Sequence, residues 1–363
     1  MATLNDIIQK TITGDHAFVF YRFPGEAECQ VMLHERSTEY KVPKGWKNKT
    51  GYMIHGFSPG FESLWINADV YSVFTMNDME RFVPEHEVLN NKKLKSSAKC
   101  YGQSTERKEY EALFNNTRTF FINGGEKVVI SRCKTIKADL GLRDLFTAFI
   151  KAHKRYKNAY LSLAYIPGEG YWFGASPEVF LEKRDGAFMI DALAGTLPNT
   201  NNVKPKWRAK ELDEQNYVVE YVKRVLKDLD ITDFKYEKPE SINAGPVWHL
   251  RTRFQINDVP DIEKLMTVLH PTPAVCGTPR IKAYDFINKN EGHQRGWYSG
   301  YWGPVNFNKA KDLRLYVNLR CLHADSECLT LFAGGGITSA SKLEEEWAET
   351  DFKMTTLLDV LAL

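Results

Sequence analysis

LRLYVNLRCLHADSECLTLFAG, residues 313–334, is the stretch whose reading decides the fold. Leu315, Val317, Leu319 and Cys321 alternate inward with the period of a strand, which leaves Arg320 on the polar face. HADS (323–326) is a polar turn, and ECLTLFAG returns as a second strand, so the segment reads as an antiparallel pair joined locally. Further strands are read outward from it at HAFVFYRF (16–23), KVVISR (127–132), AYLSLAYI (159–166) and GYWFGASPEVFLEK (170–183). Helical periodicity is read from about 105, over 143–157, over 207–229 and from near Lys342 onward. Locally joined strand pairs with helices between them predict an α+β protein built on antiparallel sheet.

With 363 residues and 43% hydrophobic content, the chain can bury a large core, as one big domain or as two closely joined lobes. Its 48 basic and 46 acidic residues nearly cancel, which gives no electrostatic case for a nucleic-acid or membrane-surface partner. The amino terminus lacks the pattern of a targeting segment and no 18-residue apolar run occurs, so a cytoplasmic location is expected. Six cysteines, Cys29, Cys100, Cys133, Cys276, Cys321 and Cys328, lack metal-ligand spacing and read as reduced thiols. Any metal would therefore need oxygen ligands. Residues 1–95 read as sheet and cover without recognisable chemistry.

Several charged residues sit where a core is expected. On the 207–229 helix, Val218, Val222, Val225 and Leu229 define an inward stripe, and Glu211 and Glu214 fall on it. On the last helix, Glu346, Glu349 and Lys353 share a face with Leu357 and Val360. Two readings stand: surface Glu–Lys pairs at helical spacing, or convergent carboxylates of the kind that hold Mg²⁺. Lys127 begins a β-branched strand, and Glu178 follows a proline at the start of an apolar run; each is either a solvated strand end or a group in use. LHPTPAVCGTP (269–279) carries three prolines and reads as a rigid loop whose small side chains leave room for a ligand.

Together these stretches resemble the chorismate-utilising enzymes: isochorismate synthases, salicylate synthases, anthranilate synthase component I and aminodeoxychorismate synthase. The similarity runs, in the family's order, through KVVISR (127–132), GASPEVFL (174–181), LAGT (193–196), KELDEQ (210–215), HLRTRF (249–254), LHPTPAVCGTP (269–279), RGWYSGYWG (295–303), VNLRC (317–321), AGGGI (333–337) and EEWAETDFK (345–353). It departs at Gln215, where many members have His, and at GGG, where many read GAG.

The resemblance implies an antiparallel β-sheet sandwich flanked by helices, the anthranilate synthase component I-like fold. Residues 1–95 would be its variable N-terminal part and 96–363 the chorismate-binding catalytic region. It implies Lys127 as the general base for water attack at C2 of chorismate and Glu178 as the general acid at the C4 hydroxyl. A free lysine is a poor base at neutral pH, so Lys127 is expected to be desolvated or near positive charge. Glu214 and Glu346 would hold Mg²⁺, with Glu211 and Glu349 acting directly or through water. Arg320 and Tyr298 would grip the enolpyruvyl carboxylate, Gly334, Gly335 and Gly336 would let backbone amides approach the substrate, and Gly195 and Thr196 would lie near the ring hydroxyl. His249 and Lys353 would lie near the Mg²⁺-bound carboxylate. Ala274, where salicylate and anthranilate synthases usually carry threonine, implies isochorismate synthase, an isomerase of menaquinone or siderophore biosynthesis. No obligatory protein partner is expected. The alternatives are salicylate synthase, an amine-adding synthase supplied with ammonia by a separate partner, and a chorismate-binding scaffold, against which Lys127 and Glu178 argue.

Overall fold

The run Leu313–Leu322, continuous in its alternation, is divided between two sheets. In the computed structural model, which describes residues 3–35, 38–85, 89, 92–97, 101–199, 201, 203–308 and 312–361, strand Leu313–Val317 belongs to one sheet and strand Cys321–Ala324 to the other. This corrects the single strand expected there. Arg320 sits in the crossover with φ +48° rather than on a strand face. GYWFGASPEVFLEK divides the same way, into Gly170–Ser176 and Val179–Arg184, with Pro177 and Glu178 between them. The two crossovers bind each other. Val317 N–H donates to Glu178 O at 3.0 Å, Ala175 N–H to Arg320 O at 3.1 Å, and Ser176 Oγ–H to Val317 O at 2.5 Å.

Among the described residues there are two nine-stranded sheets, and every strand pair is antiparallel. One sheet centres on Lys127–Lys137, Cys328–Ile337, Cys321–Ala324 and Gly170–Ser176; the other on Val247–Ile256, Ala187–Pro198, Val179–Arg184 and Leu313–Val317. The hairpin of 321–337 forms as expected, with Leu322 opposite Leu331. Residues 17–75 give strands to both sheets: Ala17–Arg22 pairs with Tyr160–Ile166, and Gly51–His55 with Tyr301–Val305.

The strand Ala17–Arg22 is buried along its whole length because both of its faces are covered. Phe18 and Phe20 join a core under the helices Leu4–Thr13, Leu142–Arg155 and Leu343–Leu361, whereas Val19 and Tyr21 join an aromatic layer with Tyr52, Trp172, Trp302 and Tyr316 from both sheets. A sheet buried on both faces hides its period, which is why the crossovers are invisible in the alternation. Helix Ala209–Asp228 packs on the second sheet through Val218, Val222 and Val225. The five described cysteines are free; Cys100 lies outside the described residues.

The proline-rich loop leaves helix Ile262–Leu269 and ends in the short strand Gly277–Thr278, which pairs with Val128 and Lys127. Gly277 has φ +142°, and a Cβ there would strike Lys127 O and lie 2.8 Å from Ala283 Cβ. Gly277→Ala is therefore expected to cost about 1–3 kcal/mol of stability from backbone strain alone, with the clash adding to it. A melting temperature equal to the parent's would contradict that contact.

Candidate active site

A cavity opens where the crossovers meet the glycine run, with about 50 Å³ of free space. That is room for a few waters, because the site's own side chains fill it. Of the residues singled out in the sequence, Glu178, Thr196, Glu214, His249, Ala274, Tyr298, Arg320, Gly334, Gly336 and Lys353 line it, joined by Val129, Val275, Leu193 and Phe332.

Glu178 comes from the 177–178 crossover and is buried. Burial pushes its carboxyl well above the usual range and the nearby Asp191 adds to this, while Lys127 and Lys353 pull the other way. Its surroundings favour the protonated form. Asp191 beside it accepts from Arg253 Nε and Nη2 at 2.7 and 2.9 Å. The signal for Asp191 was an acid inside the apolar run MIDALAG, and no role was read from it.

Lys127 is fully buried. Its Nζ lies 3.1 Å from Glu214 Oε1, yet the two are not aligned for hydrogen bonding, and Nζ has no hydrogen-bond partner among the described residues. The expected desolvation is present, but the neighbouring charge is a carboxylate rather than a cation. Lys127 does not itself line the cavity; it stands behind Gly336, where a Cβ would strike Glu214 Oε1 and lie 2.8 Å from Lys127 Cε. Only glycine allows that approach.

Arg320 and His249 form one unit. Arg320 Nη2 donates to His249 Nε2 at 2.6 Å, and His249 Nδ1–H donates to Gly195 O at 3.1 Å, a tautomer consistent with both contacts. Burial, then Arg320 and Lys353, push the imidazole well below its ordinary value, so it stays neutral. Arg320 is buried and lowered to about 10, still charged, and it has no carboxylate partner among the described salt bridges. That leaves its donors suited to an incoming anion. Tyr298 stacks on Phe332 with centroids 5.4 Å apart. Lys353 donates to Gly334 O at 2.7 Å and to Glu349 Oε1 at 2.6 Å.

The four acids singled out on the two helices are buried or half-buried, and each has a cation. Glu214 faces Lys127, Glu346 faces Lys210 at 2.5 Å, Glu349 faces Lys353 at 2.6 Å and Glu211 faces Arg208 at 2.6 Å. Glu211 stands apart from the other three: its two oxygens cap its own helix at Arg208 N and grip the Arg208 side chain. Lys210 feels Glu346, Glu349 and Glu214 together.

Among the described residues no three His, Cys, Asp or Glu side chains make a ready metal cage. The donor set nevertheless suits a hard cation that takes one or two carboxylates plus water and substrate oxygens. Among the described residues Glu346 Oε2 is buried without a hydrogen-bond partner, and the carboxyl is pushed up to about 7 by burial and by Glu349, against the pull of Lys210 and Ser341. Gly335 gives both carboxylates room, since a Cβ there would lie 3.0 Å from Glu346 Oε2. The departure at Gln215 has a local use: its Nε2 donates to Ala192 O at 2.8 Å and fixes the strand that carries LAGT.

No helix of the described residues is long and apolar enough to cross a membrane. Residues 67–362 match the family model described as "Chorismate binding enzyme". The vibriobactin-specific isochorismate synthase of Vibrio cholerae is 31% identical over 253 residues, covering 66% of this chain and 62% of that protein, so the chain spans about three-fifths of that relative's length. The structure of MenF, the menaquinone-specific isochorismate synthase from Escherichia coli, superposes with TM-score 0.76 at 20% identity over 99% of this chain and 92% of that one. Anthranilate synthase component I from Streptococcus pneumoniae superposes with TM-score 0.66 at 15% identity, over 98% of this chain and 95% of that one.

Proposed function

The chain belongs to the chorismate-binding enzyme family, and from that premise we propose that it is a Mg²⁺-dependent isochorismate synthase, an isomerase that turns chorismate into isochorismate. The observation that carries the reading is a buried lysine with no hydrogen-bond partner among the described residues, standing behind Gly336, at a cavity lined by a buried glutamate whose carboxyl is pushed well above its usual range. A binding scaffold would need neither.

Lys127 takes a proton from water as its oxygen adds to C2, the ring double bonds shift, and Glu178 gives its proton to the C4 hydroxyl, which leaves as water. One water enters and one departs, so the sum is an isomerisation. Glu214 is the only ion-pair partner of Lys127 among the described residues. Arg320 and Tyr298 hold the enolpyruvyl carboxylate, and His249 keeps the guanidinium aimed. Glu346 and Glu349, with Glu214, would hold Mg²⁺, whose positive charge when bound neutralises the ring carboxylate and orients the ring. Glu211 acts at one remove, through Arg208. Gly195 and Thr196 border the ring hydroxyl, and Lys353 steadies Gly334 and Glu349.

Ala274 distinguishes the product. Its methyl group offers no hydroxyl to position the ring or the pyruvyl group for a later elimination, and one hydrogen bond is worth about 0.5–1.5 kcal/mol. Purified protein is expected to give isochorismate in a mixture with chorismate and to release little pyruvate in a lactate dehydrogenase-coupled assay. Stoichiometric pyruvate with fluorescent salicylate would assign it instead as a salicylate synthase. The names of its relatives, one vibriobactin-specific and one menaquinone-specific, support a place in siderophore or menaquinone synthesis.

A further inference from the structure

Arg295 opens RGWYSGYWG; its guanidinium lies over the Tyr298 ring, 5.8 Å from the centroid, and hydrogen-bonds none of the groups assigned above to the chemistry. It is 5% exposed and all three of its nitrogens are bonded. Nη1 donates to Val275 O at 2.8 Å, Nη2 to Val129 O at 2.8 Å, and Nε and Nη2 to the Glu291 carboxylate at 2.8 and 2.5 Å. Glu291, also buried, accepts from Ser131 N at 2.7 Å and from Ser131 Oγ at 3.0 Å. The Arg295 carbonyl accepts from Tyr298 N at 2.9 Å.

Val129 and Val275 both line the cavity. Val129 is two residues from Lys127 on the same face of one strand; Val275 adjoins Ala274; Ser131 lies opposite Gly334. One guanidinium therefore spans the strand that carries the base and the loop that bears Ala274, while its carboxylate partner fixes the register beside the glycine run. The direct backbone link between strand and loop next to it is Val129 N to Cys276 O at 2.8 Å.

We infer that Arg295, with Glu291, is a positioning residue that sets the distance between Lys127 and the Ala274 segment, and through it both turnover and the partition between isochorismate and pyruvate release. The inference rests on the isochorismate synthase reading. A misplacement of about 1 Å in such a pair can cost about 10²-fold in rate.

Removing Arg295 alone strands the buried Glu291 charge and threatens folding. The test therefore uses the double variant Arg295→Met/Glu291→Gln, which removes both charges, and Arg295→Lys, which keeps the ion pair but cannot reach both carbonyls. In both, kcat is expected to fall by at least about tenfold with KM within about threefold, and pyruvate per isochorismate is expected to rise. Parental kcat and product ratio in a folded variant would overturn the inference. So would a loss of activity that only tracks the unfolded fraction in thermal melts. A parent protein that makes no isochorismate would instead overturn the functional reading and leave a distinct signature, since no variant is needed to see it.

Discussion

Glu178→Gln is expected to lose turnover by about 10²–10⁴-fold, the usual worth of a positioned acid, while chorismate still binds and the protein becomes more stable at neutral pH. The two effects share one cause. Glu178 holds its proton because burial and Asp191 oppose its charge. The folded state thus keeps a proton that the unfolded chain releases above its ordinary value of 4.5. The stability tied to that proton is fully present below that value and is lost as pH rises through the folded one. Glutamine has no proton to lose, so the melting-temperature advantage of the variant should widen as pH rises above 4.5. Activity near the parental level would remove the acid role, and an advantage that narrows with rising pH would contradict the assigned protonation. Lys127→Ala is expected to be as inactive and to retain chorismate binding with Mg²⁺ present, although it removes the cation that Glu214 faces.

Glu346→Gln is expected to lower Mg²⁺ affinity by more than about 100-fold, beyond what indirect ligands contribute, and to leave turnover undetectable. Chelation of the parent protein should abolish turnover, and added Mg²⁺ should restore it. The reason lies in the orphaned Oε2 atom and in the pressure that Glu349 places on the same carboxyl. Glu211→Gln should be milder, because Glu211 spends both oxygens on Arg208. Calorimetric titration with Mg²⁺ separates these variants without relying on turnover. Full activity in excess chelator, or equal Mg²⁺ affinity in Glu346→Gln and the parent, would end the metal assignment.

The two acid-bearing helices are legible because a helix buried on one side displays its faces at 3.6 residues per turn, so Glu214 and Glu346 stand out among Val218, Val222, Leu357 and Val360. The crossovers at Pro177–Glu178 and Asn318–Arg320 are not. Both flanking strands are buried on both faces, and alternation continues through the break. The remaining cues were Pro177 and the polar Asn318 inside an apolar run. Ion-pair choices were equally hidden: helical spacing places Glu211 beside Glu214, but it does not say that one serves Arg208 and the other Lys127. Arg295 was present in a quoted motif, yet its reach to Val275 and Val129 depends on strands and loops far apart in sequence.

The central claim is that water adds at C2 while the C4 hydroxyl departs at the Lys127–Glu178 site. Incubation of the protein with chorismate and Mg²⁺ in H₂¹⁸O, followed by NMR and mass analysis of the product, addresses it directly. The account predicts isochorismate carrying one solvent oxygen at C2, and none of it in the Lys127→Ala variant. Isochorismate that retains only the oxygens of chorismate, or a product other than isochorismate, would contradict it.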